Sequence, residues 1–254
     1  MPKQANIIAI SNQKGGVGKT TTSINLAASL ARVGKEVLMI DLDPQGNGTV
    51  GSGVGKDDYE LSIYDVLVNS TPINEVIKTV EAEFDVIPSD GDLAGAQVEL
   101  INEIGRELRL KNAIKEVISN YDYIFIDCPP ALNVLTINAM VAANSVMIPM
   151  QCEYFALEGL SSLVDTIKKI RDTLNPSLQI EGLLRTMFDK RNSLAGEVSD
   201  QLEAHFGKKV YQTIIPRNVR LAEAPSYGQP VLLYDKNSKG ALAYLALAAE
   251  MVAK

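Results

Sequence analysis

A short stretch near the start of the chain carries the residue types that grip phosphate. Asn12-Gln13-Lys14-Gly15-Gly16-Val17-Gly18-Lys19-Thr20 follows the apolar run Ile7-Ile8-Ala9-Ile10. It leads into an alanine-rich segment, Thr20 to Ala31, with Leu26 and Leu30 at helical spacing. Strand, glycine-rich loop and helix in that order is the context phosphate binding requires. The glycines let backbone N–H groups converge on phosphate oxygens without interfering Cβ atoms. The helix N-terminus adds its dipole. Lys19 is suited to neutralise β- and γ-phosphates, and the Thr20 hydroxyl to bind Mg²⁺. The general pattern GxxxxGK(S/T) demands glycine at position 13, where this chain has Gln13, followed by Lys14-Gly15-Gly16.

Three aspartates supply the complementary carboxylates. Asp41 and Asp43 follow the run Val37-Leu38-Met39-Ile40, and Asp127 ends the run Tyr123-Ile124-Phe125-Ile126. Carboxylates at the C-terminal ends of parallel strands point into the crevice where α/β proteins bind ligands. A phosphate–Mg²⁺ site needs such acids to hold the metal's water shell and to place an attacking water. Each aspartate alone reads equally as a helix cap or turn residue. The three together with the loop point to a site. No Asn-Lys-x-Asp sequence occurs, so the usual guanine reader is missing and adenine is expected.

These residues must be held by a scaffold. Short apolar runs at 7–10, 37–40, 123–126 and 146–149, with another expected over 180–187, read as strands buried on both faces. Helical patterns lie between them. The clearest spans Glu153 to Arg171, with Leu157, Leu160, Val164, Ile167 and Ile170 on its core face. The expected fold is a doubly wound α/β domain over residues 1–254, a mostly parallel sheet with helices on both faces. Gly46 to Gly55 is expected to be a mobile loop beside the site. The phosphate loop lies close to residue 1, so no separate helix-turn-helix domain is expected before it.

Composition narrows the function further. The 254 residues are 46% hydrophobic and 22% charged, enough for a full core, and the net charge is −7. Such a chain repels nucleic acid as a whole, so any contact would need a local basic patch. Residues 182–240 carry a balance of +3 and the first 181 residues a balance of −10. Composition alone reads the former as a solvated mixed-charge surface. Cys128 and Cys152 have no metal-type spacing and are expected to be reduced and buried. His205, the single histidine, is expected on a helix surface over 197–206 with no catalytic role. No secretory signal and no run of about 18 apolar residues appears.

The loop resembles that of the deviant Walker A ATPases, which carry an extra lysine where this chain has Lys14. Two further blocks, Ile215-Pro216-Arg217-Asn218-Val219-Arg220-Leu221-Ala222-Glu223-Ala224-Pro225 and Gly182-Leu183-Leu184-Arg185-Thr186-Met187-Phe188-Asp189, resemble the ParA/Soj chromosome-partitioning ATPases. That resemblance runs nearly end to end and carries several implications. Gly15, Gly16, Val17, Gly18, Lys19, Thr20 and Thr21 would bind the nucleotide, with Met187, Pro216 and Asn218 at its adenine. Asp43 would serve the catalytic water, and Asp127, with Asp41 and Thr20, the metal shell. Lys14 would reach a partner subunit's phosphates in an ATP-sandwich homodimer, although its spacing alone does not say from which subunit it acts. Arg191 and Arg220 match arginines implicated in DNA binding. The implied cofactors are ATP and Mg²⁺. The implied partners are non-specific double-stranded DNA and a ParB-type centromere-binding protein that stimulates a slow hydrolysis. The implied location is cytoplasmic and nucleoid-associated.

Competing readings remain at this level. A MinD-type membrane-surface ATPase shares the loop but needs a basic amphipathic C-terminal helix. Ala241 to Lys254 is instead Ala/Leu-rich with a single lysine and reads as a packed helix, so no membrane contact is expected. A redox protein like the nitrogenase iron protein bridges a cluster with cysteines, and neither cysteine here falls where that family places its ligands. A P-loop ligase or small-molecule kinase would need an acceptor site that no motif marks.

Overall fold

A computed structural model describes residues 4–253. Seven strands form one sheet. They are β1 (Asn6–Ile10), β2 (Val37–Asp41), β3 (Lys78–Thr79), β4 (Asp85–Ile87), β5 (Tyr123–Asp127), β6 (Ser145–Met150) and β7 (Gln179–Arg185). Their order is β3-β4-β2-β5-β1-β6-β7. All pairings are parallel except β3 with β4.

The apolar runs form central strands because both faces are covered. Ile7, Ala9, Leu38, Ile40, Ile124 and Ile126 enter one core, with Leu135 and Ala139 of the helix Val134–Ala142 and Leu160 and Ile167 of the helix Ala156–Thr173. The alternate residues Ile8, Ile10, Met39 and Phe125 enter a second core. That core also takes Ile24 and Leu26 of α1 (Lys19–Arg32) and Tyr244 and Leu247 of the helix Lys239–Val252. The period of two along each strand thus feeds two helical layers, the doubly wound arrangement expected.

Register brings the acids together. Ile10 of β1 and Asp41 of β2 both pair with Asp127 of β5. The phosphate loop leaves β1 at this same level, so loop and acids share the carboxyl edge of the sheet.

Several expected boundaries move. The helix expected from Glu153 starts at Ala156, preceded by a turn in which Glu153 N–H donates to the Gln151 carbonyl. Its buried face is Leu160, Leu163, Ile167 and Ile170, while Leu157 and Val164 are half-buried against the core. The final strand stops at Arg185, and Met187 beyond it adopts a positive φ of 49°. Gly46 to Gly55 is not an open loop throughout. Asn47–Gly51 forms a short helix, α2, with Gly48, Thr49 and Gly51 buried. The β3–β4 pair was not anticipated, because strands of two and three residues are too short to show a period.

The C-terminal helix is packed, as its composition suggested. It buries Gly240, Ala241, Tyr244, Leu247, Ala248 and Met251, and its Tyr244 hydroxyl lies 3.1 Å from Thr22 Oγ1 of α1. Lys254, the tail's lysine, lies outside the described residues. Among the described residues, no helix is long and apolar enough to cross a membrane.

Candidate nucleotide site

The loop between β1 and α1 is shaped by two left-handed glycines. Gly16 has φ 73° and Gly18, the N-cap of α1, has φ 88°. A side chain would strain both, and their conformation turns successive N–H groups inward. The ends of β6 and β7 hold the loop from outside. Asn12 Nδ2 donates to the Pro149 carbonyl at 2.8 Å, and Thr186 Oγ1 to the Val17 carbonyl at 2.7 Å. Gln151 Nε2 donates to the Gly16 carbonyl at 3.3 Å. Val17 is buried.

Lys19 opens α1. Its side chain is folded back, with Nζ donating to the Lys14 carbonyl at 3.3 Å. Only 7% of the residue is exposed, and burial lowers its pKa while Asp127 opposes that shift. A cation held this way is desolvated in advance and ready for an anion. A cavity of about 520 Å³ opens over the loop, lined by Gly15, Gly16, Gly18, Lys19, Thr20, Thr21 and Asp43. A second cavity of about 310 Å³ shares Gly18, Thr21 and Met187 with it. Thr186, Pro216, Asn218 and Tyr244 also line this apolar extension, which suits a flat base. Asn218 caps a short helix through its Oδ1, which accepts from Leu221 N–H at 3.3 Å.

The three aspartates have different surroundings. Asp127 is fully buried. Its Oδ1 accepts from Ser23 Oγ at 3.1 Å, and its Oδ2 has no partner. Burial, then the Asp41 charge, pushes its carboxyl above the ordinary range, with the Thr20 and Ser23 hydroxyls opposing. Asp41 is also fully buried, but both its oxygens are occupied. Oδ1 accepts from Asp43 N–H at 3.0 Å, and Oδ2 accepts from Thr49 N–H at 2.8 Å and Thr49 Oγ1 at 2.9 Å. Burial still raises its pKa. Asp43 is half-buried at the cavity wall, its Oδ1 oriented by Gln45 N–H at 3.0 Å.

A hydrated dication fits this arrangement. No group of three or more His, Cys, Asp or Glu among the described residues could hold a metal alone. Mg²⁺ does not require one, since it keeps water and phosphate ligands and takes one or two protein groups. The orphaned Asp127 Oδ2 and the neighbouring Thr20 hydroxyl are such groups.

Comparison with known proteins agrees with this geometry. The AAA domain family matches residues 5–180. The sporulation initiation inhibitor protein Soj of Bacillus subtilis is 56% identical over 248 residues, covering 97% of this chain and 98% of that protein. The chromosome partitioning protein ParA of Caulobacter vibrioides is 52% identical over 251 residues, covering 98% and 94%. The chain belongs to the ParA/Soj family of chromosome-partitioning ATPases. Among solved structures, cobyrinic acid a,c-diamide synthase from Mycobacterium smegmatis, with bound ADP and magnesium, superposes with a TM-score of 0.85 at 33% identity, covering 98% of this chain and 94% of that one.

Of the expected residues, most line the two cavities, Val17, Asp41 and Asp127 are buried behind them, and Lys14, Arg191 and Arg220 stand apart. Lys14 does not line either cavity. It is half-exposed, and its Nζ donates to Glu153 Oε2. Arg191 is 90% exposed in its side chain and pairs with Asp189. Arg220 pairs with Glu223 and Asp235 and lies 6.0 Å from the Tyr234 ring centroid. Among the participants missed from sequence are Ser23, Thr49, Ser89 and Gln151. Ser23 had a readable signal, since it lies one helical turn after Lys19. The others come from elements that only folding brings to the loop.

The buried acids predict a pH effect. A carboxyl whose folded-state pKa lies above its unfolded value adds stability below the unfolded value. That contribution is lost as pH rises through the folded one. Without nucleotide, Asp127→Asn should therefore stabilise the protein more at pH 8 than at pH 5. The difference should be on the order of 1–3 kcal/mol, several degrees in Tm. Mg²⁺ and ATP should reverse the advantage by compensating the native carboxylate. Thermal melts at both pH values check this, and a pH-independent difference between variant and parent would contradict it.

Proposed function

We infer that this chain is an ATP-dependent DNA-segregation ATPase acting as a single α/β unit over residues 1–254. The observation that carries the reading is the phosphate cradle: Lys19 and Thr20 line one cavity, and the orphaned Asp127 Oδ2 is buried behind them. ATP occupies the two joined cavities, its phosphates on Gly15 to Thr21 and its adenine beside Met187, Pro216 and Asn218. Mg²⁺, held through Thr20 and Asp127 with Asp41 behind them, supplies charge neutralisation at the phosphates. Asp43 orients water for attack on the γ-phosphate.

Bound ATP closes a homodimer in which Lys14 leaves Glu153 for the partner's phosphates. The exposure of Lys14 supports this, because a lysine already buried in its own cavity could not cross an interface. The dimer binds double-stranded DNA without sequence preference. Lys190, Arg191, Arg217 and Lys239 line one groove, an arrangement suited to phosphate backbone, and Arg220 adds charge outside that lining. Dimerisation doubles the patch, so ATP gates DNA affinity. A ParB-type partner stimulates an otherwise slow hydrolysis and resets the cycle in the cytoplasm, on the nucleoid. The MinD-type alternative lacks support, since the C-terminal helix buries Ala241, Tyr244, Leu247, Ala248 and Met251 in the core it shares with α1.

DNA retention measured with ATP and with ADP at low and moderate salt tests this reading. Retention should require ATP and fall with salt, and equal retention in both nucleotides would defeat the switch. Gly15→Val is the informative variant. A Cβ at Gly15 meets nothing within 4 Å, so the monomer should fold and melt normally. The larger side chain should block ATP-dependent dimers and DNA retention together. Normal dimers in that variant would count against the closed sandwich.

A further inference from the structure

The side chain of Asp43 reaches the cavity, but its backbone is held by residues that touch neither cavity. The Asp43 N–H is bound by Asp41 Oδ1 at 3.0 Å. The Asp43 carbonyl accepts from Ser89 Oγ at 2.8 Å and from Gly46 N–H at 2.9 Å. Ser89 follows the end of β4, so an outer strand of the sheet reaches directly to the loop after β2.

Thr49 on α2 closes the arrangement. Its Oγ1 donates to Asp41 Oδ2 at 2.9 Å and accepts from Ser89 N–H at 2.8 Å. Its own N–H also donates to Asp41 Oδ2, at 2.8 Å. Thr49 and Ser89 are each 1% exposed and Asp41 is fully buried. The chain Asp43–Asp41–Thr49–Ser89–Asp43 is therefore a closed ring of hydrogen bonds whose Asp41, Thr49 and Ser89 members are buried and which holds Asp43 by its N–H and its carbonyl. Gly48 completes the packing, since a Cβ there would stand 2.8 Å from Asp41 Oδ2. Buried polar rings of this kind lock geometry because each unmade bond leaves an unsatisfied group out of water.

We propose that Thr49 and Ser89 are positioning residues for hydrolysis, setting through Asp41 the loop that aims Asp43 at its water. Asp41 then acts by holding this loop, its oxygens already committed to it. The proposal rests on the reading of Asp43 as the residue that orients water. Thr49 supplies one hydroxyl used twice. Valine keeps its shape and removes both bonds, and serine keeps the hydroxyl.

The test uses the full chain, with single-turnover hydrolysis of γ-labelled ATP and equilibrium binding of a fluorescent ATP analogue. Thr49→Val should slow hydrolysis roughly ten- to hundredfold while the analogue's Kd moves less than about threefold. Thr49→Ser should restore the rate to within about threefold, and Ser89→Ala should lower it in the same direction as Thr49→Val. The double variant Thr49→Val, Asp43→Asn should be no slower than Asp43→Asn alone, because both act through one group. A Thr49→Val rate within twofold of the parent would overturn the proposal, as would equal losses in rate and affinity or an additive double variant. If Thr49→Val does not fold, the Thr49→Ser and Ser89→Ala rates decide: Ser89→Ala at the parental rate rejects the ring. Asp43→Asn at the parental rate would instead reject the underlying reading of Asp43.

Discussion

Lys19→Ala should abolish nucleotide-dependent behaviour, with ATP hydrolysis falling by at least roughly 10²–10³-fold. Lys19 sits at the start of α1, nearly out of water, its Nζ parked on the Lys14 carbonyl. A buried cation acting on developing phosphate charge works at low effective dielectric and needs no reorganisation when the reaction occurs. Alanine removes that charge and leaves the Lys14 carbonyl without its donor. ATP affinity should fall together with the rate, because the cation meets the phosphates in both ground and transition states. Lys19→Arg should not rescue the loss, since a planar guanidinium is a poor substitute for a compact ammonium in this site. Equilibrium ATP binding and steady-state hydrolysis measure both effects. Hydrolysis within tenfold of the parent would remove Lys19 from its assigned role.

Asp43→Asn should produce the opposite phenotype. Hydrolysis should drop by roughly 10²–10⁴-fold while ATP binding remains near the parental level. Asparagine retains an oxygen for the Gln45 N–H bond, and the Asp43 backbone contacts to Asp41 and Ser89 do not depend on the side chain. The fold of the loop should survive, and only the carboxylate's pull on a water proton is lost. The ATP-bound species should then accumulate, with persistent ATP-dependent dimers and DNA retention. Loss of ATP affinity in parallel with rate would show instead that Asp43 holds the nucleotide. The two variants separate binding from turnover. Lys19→Ala should never reach the DNA-retaining state, and Asp43→Asn should fail to leave it.

Much of the site was legible before folding because its chemistry is local. The glycines, Lys19 and Thr20 lie within one strand–loop–helix unit, and their spacing is itself the motif. Asp41 and Asp127 were readable as strand-end acids because apolar runs of four or five residues mark central parallel strands. Met187, Pro216 and Asn218, the residues proposed to meet the base, entered only through resemblance. Nothing local distinguishes Pro216 from any loop proline, or Asn218 from the helix cap that it also is.

The residue types and spacing of this chain determined that a phosphate loop faces strand-end carboxylates on a doubly wound sheet. Those features are set by periods of 2 and 3.6 residues and by glycine stereochemistry, which act over a few positions. Only the tertiary structure decided how the groups divide their work. It gave Asp41 three internal donors and left Asp127 Oδ2 open, two environments that the sequence cannot distinguish. It turned part of a glycine-rich stretch into α2 and brought Ser89, just beyond β4, to the Asp43 carbonyl, 46 residues away in sequence. It also set Lys14 against Glu153 rather than over its own cavity. The physical reason is common to all three. Burial and hydrogen-bond partnership depend on which distant segments meet, and strand order with register makes that choice.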